Sequence, residues 1–213
     1  MMQIILLAFV SLVFMSLLCV LHAAAVEVRT FQGPDPATEK VIQGNLDRLK
    51  KTFGSQDGII SDAKTSRLRE LGFESADQLA KTTIGQGFPL YVVRLDKLRA
   101  YNKGTDPWLL LTKTDVSIYP LLVQGKDSVR SSAIVSFQND KTKVPRVVEI
   151  GSPDLIRLLM EARAEAQKGD GCLLPSECFV VSIPAISLHL FGYRDERTKQ
   201  LSIVTVNDVM GQV

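Results

Sequence analysis

The chain has little of the material from which most catalytic and metal sites are built. Its 213 residues include two histidines, three cysteines and one tryptophan, and beyond residue 25 only His189, Cys172 and Cys178 remain of the first two kinds. His189 lies in a strand-like stretch where Ile186, Leu188 and Leu190 fall on one face, so it points the other way with Ser187 and Phe191. A nucleophile needs its base in hydrogen-bond reach, and residues i and i+2 on a strand stand about 7 Å apart, which argues against a Ser187–His189 pair. No G-x-S-x-G elbow is present to supply a distant serine. Zinc held by Cys172, Cys178 and His189 would need the spacing C-x5-C-x10-H, which matches no standard ligand set and lacks a fourth ligand. Gly85-x-Gly87 precedes a strand and has no third glycine, so it is a connector rather than a phosphate loop. Among the acids Glu149, Asp154 and Glu161 no pair stands out, and Asp154 is explained by a helix N-terminus. No residue is assigned to catalysis, and no metal or cofactor is expected.

Charge of one sign is also missing. Lys and Arg number 25 against 23 Asp and Glu, a formal balance of +2. The most basic stretch, with Arg48, Lys50, Lys51, Lys64, Arg67 and Arg69, is interleaved with Asp47, Asp57, Asp62 and Glu70. It describes solvated helix faces, and nothing in it favours nucleic acid.

What the chain does have is an apolar beginning. From Ile4 to Leu21 only Ser11, Ser16 and Cys19 interrupt an uncharged apolar run. The small cluster Ala23-Ala24-Ala25 supplies the A-x-A pattern a signal peptidase accepts, so residues 1–25 are expected to be a signal peptide cleaved before Val26. An uncleaved anchor is the alternative, because a run of this length can span a bilayer. Lipid attachment at Cys19 is disfavoured by the large Leu17-Leu18 before it. Each version places the remainder outside the cytoplasm, periplasmic or secreted, with membrane contact only through the N-terminal segment if that segment stays. In an oxidising compartment, two cysteines five residues apart in a Gly/Pro/Ser-containing loop are expected to form a disulfide, Cys172–Cys178.

Residues 26–213 then form one domain-sized chain, helical at about 36–82 and sheet-rich at about 88–208. Asp35-Pro36 opens a helix whose Ile42, Leu46, Leu49 and Phe53 recur at helical spacing until Gly54. Asp62 to Leu71 and a capped start at Ser75 give two shorter helices. Asp106-Pro107 is expected to begin a single helical turn containing Trp108. Strands follow at 88–95, 116–123, 129–138 and 144–150, the last three an antiparallel meander, with Pro120 requiring an edge or a bulge. Ser152-Pro153-Asp154 opens a helix over 153–167 with Leu155, Leu159, Ala162 and Ala166 on one face. "CFVVSIPAISLHLFGY", bent at Pro184, and "LSIVTV" close the chain. The expected class is α+β: a largely antiparallel sheet of five or six strands, with helices on one face, preceded by a helical N-terminal region.

Export, near-neutral charge and scarce His and Cys favour a non-catalytic binding or interaction domain of the cell envelope or extracellular space. It would hold an envelope protein or a small ligand on one sheet face. The amphipathic aromatics Tyr101, Trp108, Tyr119 and Tyr193 are the candidate contacts. The alternative is an extracytoplasmic hydrolase without a recognisable motif.

Overall fold

The computed structural model describes residues 34–54, 62–123, 128–137, 144–170, 177–194 and 200–206, and all of these belong to one compact unit. Among these residues, five helices and eight strands alternate in blocks. Helices α1 (Pro36–Phe53), α2 (Asp62–Glu70) and α3 (Ala76–Ala80) come first. Strands β1 (Thr82–Ile84) and β2 (Phe88–Val93), the short α4 (Leu95–Arg99) and a 3-10 turn (Pro107–Leu110) follow. Strands β3 (Leu111–Val123), β4 (Ser128–Phe137) and β5 (Pro145–Gly151) precede α5 (Pro153–Asp170), and β6 (Cys178–Ile183), β7 (Leu188–Arg194) and β8 (Leu201–Thr205) end the described chain. Among the described helices none is long and apolar enough to cross a membrane.

The helix starts are set locally. Asp35 accepts hydrogen bonds from the backbone N–H groups of Ala37 and Thr38 at 3.1 and 3.0 Å, and Pro36 takes a first-turn position whose N–H has no helical partner anyway. Thr38 Oγ1 donates to Asp35 at 2.6 Å, and this bond is the leading reason that the Asp35 carboxyl sits below its ordinary pKa. Ser75 caps α3 by accepting from Gln78 N, while the Gln78 side chain reaches back to Glu74 N rather than to the cap itself.

The sheet order is β5-β4-β3-β2-β6-β7-β8, with β1 beside β3. Every pairing is antiparallel except β2 with β6, where Leu90, Tyr91 and Val92 meet Val180, Val181 and Ser182. The sheet therefore has more strands than the five or six expected, for two physical reasons. The stretch expected to bend at Pro184 instead reverses there: Pro184–Ile186 make a 3-10 turn, Ser187 adopts a left-handed conformation (φ 49°), and β6 and β7 become a hairpin. In addition, β1 pairs with the far end of β3, Thr82 opposite Val123.

Strands β1 and β2 lie end to end along β3, separated by Gly85-Gln86-Gly87. Gly85 N donates to Pro120 O at 2.8 Å. A β residue's N–H and C=O point to the same side, so Pro120's missing donor faces this break in the neighbouring strand. A side chain at Gly87 would place its Cβ 2.5 Å from the Tyr119 ring, which favours glycine there.

Alternation sorts the core onto two faces. On one face, Phe88, Ile118, Val180, Phe191 and Tyr193 pack under Ile156, Leu159, Ala162 and Ala166 of α5. On the other, Tyr119, Leu121, Ala133 and Val135 pack under Ile42, Leu46 and Phe53 of α1, Leu68 of α2 and Leu79 of α3. The expectation of helices on one face is corrected accordingly: α5 covers one face, and the N-terminal helices cover the β3-β4-β5 half of the other. The buried run Ile118-Tyr119-Pro120-Leu121 is what a strand covered on both sides requires.

Candidate functional site: an aromatic platform

Among the described residues no helix covers the second face over β2, β6, β7 and β8. There Val93, Phe179 and Val181 are buried, and Tyr91, Trp108, Leu110, Leu111, Ile183, Leu190 and Leu201 pack on them while remaining half-exposed. Trp108 covers this area from the 3-10 turn. Asp106 caps that turn by accepting from Trp108 N at 2.9 Å, with Pro107 next to it. The indole meets Phe179 edge-on at 5.5 Å between centroids and Tyr91 at 5.5 Å, and Tyr91 and Phe179 touch at 5.0 Å. Arg194 of β7 stacks its guanidinium 4.7 Å from the indole centroid. Each aromatic pair contributes about 0.5–1.5 kcal/mol beyond area burial, and a partly exposed cation–π contact about 0.5–1 kcal/mol. The result is a rigid, half-wet platform. Desolvation raises the Tyr91 phenol above its ordinary pKa, so it stays neutral. Leu109, 64% exposed, and Ile203, 41% exposed, are large apolar residues of the adjoining turn and of the same sheet face.

Of the four aromatics singled out from sequence, the structure brings only Trp108 to this platform. Tyr101 donates its hydroxyl to Thr105 O at 3.0 Å and closes its own loop. Tyr119 is 7% exposed and belongs to the core under α1. Burial raises its phenol pKa, with hydrogen bonds to Thr38 and Ser117 acting against the shift. Tyr193, 8% exposed, packs on Phe191 under α5. Tyr119 and Tyr193 thus hold the layers together and present no surface to a partner. Tyr91, Phe179 and Arg194 were not singled out. Their only sequence signal is alternation, which puts Tyr91 and Val93, or Phe179 and Val181, on one face without saying which face lacks a helix.

Cys178 is buried in the first core opposite Tyr193. Burial pushes its thiol up to about 11, Arg163 on α5 lowers it and Glu177 raises it. Such a thiol is poorly nucleophilic at neutral pH. Cys172 lies outside the described residues, and so does the expected disulfide. Arg163 is itself buried, with its guanidinium 5.8 Å from the Phe88 ring. His189 is half-exposed opposite Ser182 on the α5 face of β7. Among the described residues no three of His, Cys, Asp and Glu are grouped as metal ligands would be. A separate open groove of about 580 Å³ runs between α1 and the start of β5, lined by Lys40, Val41, Gly44, Arg48, Val144 and Pro145 among others. It contains none of the four aromatics singled out from sequence.

No protein-family model matches the chain, and searches of the curated proteins and of the solved structures return no match. Function is therefore argued from geometry.

Proposed function

We propose that the protein is an exported, non-catalytic binding domain that holds a partner protein of the envelope or extracellular space against the half of its sheet that no described helix covers, with Trp108 at the centre. The observation that carries this is the thinness of the third cluster among the described residues: three buried residues support seven half-exposed apolar ones, whereas the other two clusters lie beneath helices. A Trp, a Tyr and an Arg stacked on one another are the residue types that dominate binding energy at protein interfaces. They are already ordered by their own packing, so little rotamer entropy is lost when a partner arrives. Export is supported by the uncharged run from Ile4 to Leu21 with Ala23-Ala24-Ala25 behind it.

A photo-crosslinking side chain at Leu109 tests the binding role, with one at Glu161, exposed on α5, as the control. The expected result is one covalent partner from Leu109 in intact cells and none from Glu161. No adduct at Leu109, or the same adduct from both sites, refutes the platform. Export is tested by N-terminal sequencing of the processed protein, which is expected to begin at Val26.

A further inference from the structure

We propose that β8 pairs with β8 of a second copy of this chain, antiparallel about Ile203, so that two eight-stranded sheets continue into one. The two outer strands of the sheet are built differently. β5 carries the features that keep a sheet edge from pairing: Pro145, the charged and exposed Arg146 and Glu149, and a register shift against β4 beside Val148. β8 reads Leu201-Ser202-Ile203-Val204-Thr205, with no proline, glycine or charge, and its ladder to β7 runs from Leu201 to Thr205 without a shift. The shifts in this sheet fall between β2 and β3, β3 and β4, and β4 and β5; the β6-β7-β8 half is regular. Among the described residues, then, one outer strand is guarded and the other is regular, uncharged and apolar, with Ile203 exposed at its middle.

A second copy fits this strand because the strand is complementary to itself. A twofold axis at Ile203 sets Ile203 opposite Ile203, Ser202 opposite Val204 and Leu201 opposite Thr205. No charge lies within the strand to be desolvated when it pairs, whereas a β5 pair would have to accommodate Arg146 and Glu149 at its edge. An axis perpendicular to the sheet preserves its faces, so both Trp108 platforms lie on the same side of the joined sheet. Five residues span only about 17 Å, which makes this a small interface and the dimer concentration-dependent.

Single cysteines at Ile203 and Val148 test it in the protein as the cell processes it, using bismaleimidoethane as the bridging reagent. Val148 is more exposed than Ile203, at 63% against 41%, so reactivity alone favours crosslinking at Val148. The expected result is the reverse, with about tenfold more covalent dimer from Ile203→Cys. Equal yields, or more dimer from Val148→Cys, overturn the pairing. In sedimentation, the unmodified protein is expected to show a monomer–dimer equilibrium that Ile203→Lys abolishes, with the unfolding midpoint unmoved at concentrations where the wild type is monomeric. A wild-type protein that stays monomeric at several hundred micromolar, or an Ile203→Lys variant that still dimerises, also overturns it. These readings use the protein alone, so their failure is distinguishable from failure of the Leu109 crosslink.

Discussion

Replacing Ile42 and Ile156 by valine, singly and together, measures whether the sheet separates two independent cores. Ile42 on α1 and Ile156 on α5 are both fully buried, and they belong to clusters on opposite faces with no member in common. Each change removes one methylene, worth about 0.8 kcal/mol in transfer free energy; with the void left behind, each is expected to destabilise by about 1 kcal/mol. Sites that share no neighbours add within about 0.5 kcal/mol, so the double variant should lose about 2 kcal/mol. That is small enough to leave a folded protein whose total stability is about 5–15 kcal/mol. Urea unfolding followed by emission of Trp108, the only tryptophan, is a direct assay. A slope of about 2 kcal/mol/M gives midpoint shifts of about 0.5 M for each single change and 1 M for the pair. A loss under about 0.3 kcal/mol for Ile42→Val would refute the second core, and a coupling energy above about 0.5 kcal/mol would show that the two cores are not independent.

Leu159→Ala should cost about 2–5 kcal/mol in the same assay, while Leu95→Ala, on a helix with no buried residue, should cost less than about 0.5 kcal/mol. Gly192→Ala would place a Cβ 2.3 Å from the Phe179 ring, so it should destabilise by about 1–3 kcal/mol and shift Trp108 emission, because Phe179 supports the indole. Unchanged emission would remove Phe179 from the platform's support. In unreduced exported protein, mass spectrometry should find the Cys172–Cys178 peptides two hydrogens lighter than the reduced pair; free thiols binding zinc would exclude the disulfide. In the Cys172→Ser variant the buried Cys178 thiol titrates near 11 in the fold against about 9 when unfolded. The unfolded chain then loses its proton first, so this group's stabilisation is complete below pH 9 and falls away as pH rises through 11. Comparison with Cys172→Ser/Cys178→Ala isolates the effect, and identical pH profiles for the two would contradict the burial of that thiol.

Local chemistry was legible and long-range placement was not. Asp35-Pro36, Ser75 with Gln78, and Asp106-Pro107 each act within four residues, so their caps can be read directly from the sequence. The meander β3-β4-β5 was equally accessible, since consecutive alternating strands with short loops have few other arrangements. The turn at Pro184 was hidden because its left-handed position is Ser187, without the Gly or Asn that usually marks such a reversal. The two-faced core was present as the unbroken run Ile118 to Leu121, yet such a run does not say which helix covers which side. Trp108 could be named as an interface candidate from its side chain alone. Its supports could not, because Tyr91 and Phe179 become neighbours only through the parallel β2–β6 pairing.

That parallel pairing also governs how the chain can fold. Leu90 meets Val180, ninety positions later, with the whole meander and α5 in between. At roughly 5–20 residues per second of synthesis, the β6 side of β2 waits about 5–20 s for its partner. During that time Tyr91 and Val93 have β3 on one side and no strand on the other, and β6, β7 and β8 must dock onto the open edge of β2 afterwards. For the export proposed above such a delay is useful: the earlier segments can nucleate helices and a meander, but the continuous sheet cannot close before the C-terminal quarter has emerged, which keeps the chain threadable.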